Sequence, residues 1–225
     1  MINKLSPVTN ERELTALVRE IGFLPMFSSG IPGYSLEDCT PKDYWFVEGV
    51  DGPWEWKGYV LDGTIAYGKM FHKKAGFIDR AWLPDFCNYR RDGYDFEGFF
   101  EDGFASYKSK AIVDTLARQG PLVSRALKEQ CGYREGGEKG FDCVMTQLQM
   151  RSFVTIHSFA HNRDRFGRPY GWGLSCYALM EQAFGPEIVN AAESRTPLTS
   201  RKLILEQIRR VCPEADEKQI EKLID

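Results

Sequence analysis

Glu55 stands between Trp54 and Trp56, and it is the carboxylate whose sequence neighbours best suit acid–base chemistry. Two large apolar rings could desolvate it, raise its pKa and leave it a proton to give near neutral pH. On a strand the same spacing lets Glu55 face solvent on the opposite side, which is the simpler outcome. Trp54 and Trp56, read at strand period, share one face and either stack on a flat ligand such as a base or fill a core, with core expected for at least one. Arg90 and Arg91, with Tyr89 and Tyr94 close by at a turn, could clamp a phosphate, or pair with Asp92 and Asp95 as a structural corner. A further polar set follows in Lys139, Thr146, Gln147 and Gln149, where a glutamine amide can pair bidentately with adenine in a major groove. Arg163, Arg165 and Arg168 crowd a turn-rich stretch from Asn162 to Pro169 and could reach phosphates or a minor groove.

These side chains need elements to hold them. On a helical wheel of about 100° per residue, Phe141, Val144, Met145 and Leu148 fall in one apolar arc. Lys139, Cys143, Thr146 and Met150 lie opposite, with Gln147 and Gln149 on the flanks. This predicts an amphipathic helix with one face in a core and one face free. Two extended runs follow, Phe153 to Phe159 and Tyr170 to Leu179, separated by the arginine-bearing turn. Two helices precede it: one from about Ser106, with Ile112, Thr115 and Leu116 inward and a stop at Gly120-Pro121, and one from Val123 to Gln130. Helices followed by a hairpin predict a winged helix-turn-helix at residues 104–180. An aromatic-rich α+β region precedes it at residues 1–103, and a C-terminal helical pair follows at residues 181–225. The fold class is therefore α+β.

In the first region Asn10 or Thr9 caps a short helix that Gly22 stops. A long Ser/Gly/Pro-rich loop then runs to about Thr40, either packed by its own aromatics or lining a site. Asp62-Gly63 between apolar runs predicts a hairpin from Tyr59 to Phe71. Residues from Asp79 to Tyr89 predict a short helix. In the tail, two helices flank Cys212-Pro213, burying Leu203, Ile204, Ile208, Val211, Ile220, Leu223 and Ile224.

Composition narrows the function. The hydrophobic share of 43% and charged share of 27% are those of an ordinary globular chain. A net charge of -3 excludes a protein basic over its whole surface, but residues 104–170 carry eleven Lys and Arg against six acids, so positive charge is concentrated there. The six cysteines form no C-x-x-C pair, and His72, His157 and His161 have no ligand-like spacing with them. No metal and no cofactor is expected. His157 and His161 sit on an extended segment as surface residues. With no signal peptide and no membrane-length apolar run, reduced thiols in a cytoplasm are expected. The oligomeric state is left open.

The segment order resembles that of the AlkZ/YcaQ-type DNA glycosylases, built on winged-helix modules. The likeness runs from about residue 14 to residue 179, with a looser early match from Leu17 to Ser29. It is best from Lys110-Ala-Ile-Val to Gly120-Pro-Leu and through the helix and hairpin of 139 to 179. Gly22-Phe-Leu-Pro-Met-Phe-Ser28 resembles the family turn that carries a Gln-x-Asp or Gln-x-Gln catalytic motif, but Pro25 and Phe27 stand at those polar positions. Phe71-His72-Lys73 to Ile78 resembles the family's histidine-bearing hairpin. The resemblance implies a DNA-binding protein that recognises damaged duplex DNA without the standard catalytic pair. Two rivals stand beside it: a glycosylase using Glu55 or His72 with the tryptophans as a flipped-base pocket, and a winged helix that binds a protein or small molecule.

Overall fold

Asn10 accepts hydrogen bonds from the backbone N–H groups of Arg12 and Glu13, which starts helix α1 (Glu11–Ile21), and Gly22 ends it at φ 91°. The computed structural model describes residues 5–47, 49–133 and 136–224, without the side chains of residues 163, 169, 170 and 172. After α1 come strand β1 (Phe23–Pro25), helix α2 (Leu36–Cys39), helix α3 (Pro53–Tyr59), strands β2 (Ile65–Phe71) and β3 (Lys74–Asp79), and helices α4 (Leu83–Arg91) and α5 (Phe96–Glu101). Helix α6 (Tyr107–Gln119), strand β4 (Leu122–Val123), helices α7 (Ser124–Gln130) and α8 (Phe141–Met150), and strands β5 (Val154–Arg163) and β6 (Pro169–Leu179) follow. Helices α9 (Met180–Phe184), α10 (Pro186–Val189), α11 (Pro197–Val211) and α12 (Glu217–Ile224) end the chain. Among the described residues no helix is long and apolar enough to cross a membrane.

All strands join one antiparallel sheet in the order β1-β3-β2-β5-β6-β4. The seam between its halves is β2 against β5, where Tyr67 pairs with Ile156 and Thr155 Oγ1 donates to the Tyr67 carbonyl at 3.0 Å. Two apolar cores sit on this sheet. The first gathers Leu14, Phe23, Leu24, Trp56, Phe71, Phe77 and Phe86 with Met180, Ile204, Ile208, Ile220 and Leu223. The second gathers Phe99, Ile112, Leu116, Leu127, Phe141, Leu148 and Phe153. Residues 180–224 thus return to complete the core begun by the first helix. The long loop before Thr40 is packed by its own side chains: Tyr34 is buried and donates its hydroxyl to the Phe23 carbonyl at 2.6 Å.

Two local expectations change. Trp54 and Trp56 lie on helix α3, not on a strand, so they do not share a strand face. Pro53 opens that helix, and the Gly52 N–H donates to the Glu55 carboxylate at 2.9 Å. These start signals outweigh the strand preference of the aromatics. The hairpin turn lies at His72-Lys73 instead of Asp62-Gly63. Asp62 accepts from the Thr64 N–H and hydroxyl at 2.9 and 2.5 Å, which makes its turn the entry to β2. His72 and Lys73 adopt φ 46° and 64°, the left-handed pair that a two-residue hairpin needs.

Candidate nucleic-acid interface

Helix α8 buries the expected arc of Phe141, Val144, Met145 and Leu148 in the second core. Gln147 and Cys143 are exposed on its other side, Thr146 and Met150 are half-buried, and Lys139 is exposed just before its first turn. Gln149 departs from the expected groove-reading role, because it is only 1% exposed. Its Oε1 accepts the Lys69 N–H at 3.0 Å, and its Nε2 donates to the Met145 carbonyl at 3.0 Å. A Cβ at Gly68 would meet Gln149 Oε1 at 2.8 Å, so a side chain there would push the Gln149 amide aside. Gln149 is a brace between sheet and helix. Thr146 is partly committed as well, donating to the Asp142 carbonyl at 2.6 Å and accepting from Lys69 Nζ at 3.3 Å.

The β5–β6 hairpin ends in a closed turn. Asp164 Oδ1 accepts from the Phe166 and Arg168 N–H groups at 2.8 and 2.9 Å, and the Asp164 N–H donates to the Arg168 carbonyl at 2.9 Å. Phe166 is 68% exposed at the tip, with the Arg165 and Arg168 guanidiniums 4.6 and 5.9 Å from its ring centre. The turn therefore holds two exposed arginines around an exposed aromatic. The Arg163 backbone belongs to β5, and its side chain lies outside the described residues.

Other sequence candidates are spent inside the fold. Arg90 and Arg91 are buried. Arg91 pairs with Glu181 at 2.5 Å and donates to the Ser152 carbonyl at 2.6 Å, and Arg90 donates to the Met70 carbonyl with its guanidinium 4.6 Å from the Phe86 ring centre. They tie α4 to strand β2, to Ser152 before β5 and to Glu181 on α9, which removes them as an open phosphate clamp. Asp92 ends α4 in the left-handed region and Asp95 caps α5. Glu55 is exposed and engaged with the Gly52 N–H, so the two indoles do not desolvate it. Trp56 is 1% exposed and belongs to the core. Trp54 is half-buried, with Phe27, Trp45 and Phe46 at 5.9, 6.3 and 5.7 Å between ring centres. Lys57 lies 4.6 Å above the Trp54 ring, and its burial lowers its pKa.

A family model described as AlkZ related matches residues 8–225. The chain belongs to the AlkZ-related family. No curated protein and no solved structure matches it. In this AlkZ-related protein Pro25 lies in β1 opposite Gly76, and it lines with Phe27, Phe71, His72, Lys74 and Lys222 a cavity of about 360 Å³. Pro25 and Phe27 bring it no carboxylate or amide. His72 lines this cavity from the hairpin turn, and Glu55 does not line it. The β2–β3 hairpin of the AlkZ-related chain also carries exposed Lys69, Lys73 and Lys74. Its signal in the sequence was the pair of apolar runs, Ile65–Phe71 and Lys74–Asp79, with two residues between them.

Proposed function

We propose that this AlkZ-related protein binds duplex DNA through a winged-helix unit at residues 104–180 and recognises damaged or distorted sites. The supporting observation is the run α6-β4-α7-α8 followed by the β5–β6 hairpin, with Gln147 and Lys139 exposed at α8 and Arg165 and Arg168 exposed at the hairpin tip. In such a unit α8 enters the major groove while the hairpin follows the backbone. Gln147 is then the base-reading candidate, Thr146 and Lys139 flank it, and Gln149 acts only by positioning. Residues 1–103 and 181–225 form the flanking regions, which share the first core. Fluorescence anisotropy with a labelled duplex tests the reading. Log affinity should fall linearly with log salt, and replacing Arg163, Arg165 and Arg168 by Ala should flatten the slope by about 0.9 per phosphate they touch. Absence of duplex binding at low salt overturns it.

His72 at a cavity next to the position of the family's catalytic turn supports a second reading, excision by a non-standard residue. Pro25 and Phe27 supply nothing that can orient a water or stabilise an oxocarbenium-like centre, so the favoured reading is binding without excision. Duplexes carrying bulky alkyl-purines should give no abasic product above the blank. Release of the base, abolished by His72→Ala, would reverse this order.

A further inference from the structure

Exposed apolar side chains gather in one stretch of the first region. Among the described residues eight large apolar side chains stand exposed, and four of them, Phe46, Val47, Val50 and Tyr59, fall within residues 46–59. They are joined in space as well. Phe46 lies beside Trp54 and Trp45 at 5.7 and 6.2 Å between ring centres. The Val50 N–H donates to the Val47 carbonyl at 3.3 Å, and the Tyr59 hydroxyl at the end of α3 donates to Asp51 Oδ2 at 3.2 Å. Gly52 closes this loop onto α3, since a Cβ there would lie 1.9 Å from the Tyr44 carbonyl oxygen.

Packing gives Phe46 no reason to be where it is. Its side chain is 74% exposed, and its backbone sits at φ 59°, a left-handed conformation that a bulky residue adopts at a cost. Glycine would make the same turn without strain. A strained backbone that holds an aromatic ring in solvent beside a half-buried tryptophan suits an interface anchor. Carboxylates set the character of the surroundings. The stretch 42–62 carries Asp43, Glu48, Asp51, Glu55 and Asp62 against Lys42 and Lys57. Lys57 is drawn inward: its Nζ donates to the Trp54 carbonyl at 2.8 Å and lies 4.6 and 4.8 Å from the Trp54 and Phe159 ring centres. Asp51 and Glu55 are exposed, and partial desolvation together with Asp51, Glu55 and Glu11 raises the Tyr59 pKa. A negative rim around an apolar centre repels phosphate and attracts cations, which disfavours nucleic acid as the occupant.

We propose that Phe46, Trp54 and Tyr59 with the two valines form a docking surface for a basic segment of a partner protein. An apolar side chain of that segment seats against Phe46 and Trp54, while its Lys or Arg side chains meet Asp51 and Glu55. The apolar centre supplies the anchor, and the acidic rim selects the partner. The surface lies outside the winged-helix unit and does not depend on the DNA-binding reading.

Anisotropy with two short fluorescein-labelled peptides and the full-length protein tests this. One peptide carries Leu and Trp on one side and Lys and Arg on the other; its counterpart has Glu at every Lys and Arg. The basic peptide should bind, more weakly as salt rises, and the acidic one should not. Phe46→Gly should weaken that binding about tenfold or more at an unlowered melting midpoint, because glycine relieves the left-handed turn. Asp51→Asn/Glu55→Gln should weaken it as well and flatten its salt dependence. Failure of the native chain to bind the basic peptide at millimolar concentration overturns the proposal, as does native affinity in a folded Phe46→Gly protein. Three further results would replace the occupant and so overturn it: equal affinity for the acidic peptide, DNA binding that Phe46→Gly abolishes, or self-association in sedimentation velocity that Phe46→Gly abolishes. Should Phe46→Gly melt below the native chain, Tyr59→Ser, at an exposed side chain, takes its place with the same expected loss. A native chain that binds the basic peptide and no duplex removes the DNA-binding reading and leaves this one.

Discussion

Gln149→Ala separates a brace from a base reader. In the native fold Gln149 is 1% exposed, accepts from the Lys69 N–H and donates to the Met145 carbonyl. Truncation leaves the Lys69 N–H without its acceptor in a half-buried place, which costs about 1 to 3 kcal/mol. Removing the rest of the side chain opens a void between β2 and α8 that collapses only in part, so a total of about 2 to 4 kcal/mol is expected. For a chain of 225 residues each kcal/mol moves the melting midpoint by about 2 to 4 °C, which places the expected fall at about 4 to 16 °C. Gln147→Ala, on the exposed side of the same helix, should stay within about 0.5 kcal/mol of native and lose DNA affinity instead. Paired calorimetric melts and anisotropy titrations of the two variants check the assignment. A Gln149→Ala protein that melts with the native chain and has lost DNA binding would refute the brace.

Other outcomes follow from the same structure. Trp56→Ala should destabilise by about 3 to 5 kcal/mol in denaturant melts, and Trp54→Ala by clearly less, since its ring is half-buried; equal midpoints would contradict the core placement. His72→Asn with Lys73→Gly should raise the melting midpoint, because both replacements relieve the left-handed turn, and a lower midpoint would show that the turn carries no strain. A maleimide followed by mass spectrometry should modify exposed Cys143 and spare buried Cys39 and Cys87 in the folded protein. Burial pushes the Cys87 thiol up to about 11 from 9.0, against the lowering field of Arg91. Its folded pKa exceeds the unfolded one, so the neutral thiol's contribution, at most about 3 kcal/mol, is complete below pH 9 and lost as pH rises towards 11. The stability gap between the native chain and Cys87→Ala should therefore narrow over that window, and a constant gap would rule this out.

What was legible in the sequence is what local rules control. Asn10 and Gly22 mark the ends of α1, Ser106 and Gly120 those of α6, and the apolar arc of α8 is the one it buries. The turn between β5 and β6 was readable because Asn, Asp, Gly and Pro cluster there. The β2–β3 turn carried no usual turn residues, since His72-Lys73 uses left-handed backbone without them, and only the flanking runs and the likeness to the family's hairpin pointed to it. Trp54 and Trp56 misled because aromatic density favours a strand, while Gly52, Pro53 and Glu55 beside them start a helix. Gln149 and the Arg90-Arg91 pair needed knowledge of what lies across from them: β2 in one case, Ser152 and Glu181 in the other. The cavity at Phe27 and His72 is likewise assembled from segments far apart in the chain.

The path by which the last helices return to the first core bears on how the molecule is made. The hydrogen bond from Gln207 Nε2 to the Ile21 carbonyl spans 186 residues, and Leu223 and Ile224 share one core with the buried residues of α1. Contacts of such separation form late, because the long loop must close before they are rewarded. The second core draws its buried residues from a continuous stretch between Phe99 and Val154, so it has all its parts while α11 and α12 are still unmade. On the ribosome, then, the older part of the polypeptide waits for the younger, with the first core short of its α11 and α12 residues. Helix α12 adds Ile220, Leu223 and Ile224 to that core, and nascent chains stopped short of it should be the ones that chaperones hold.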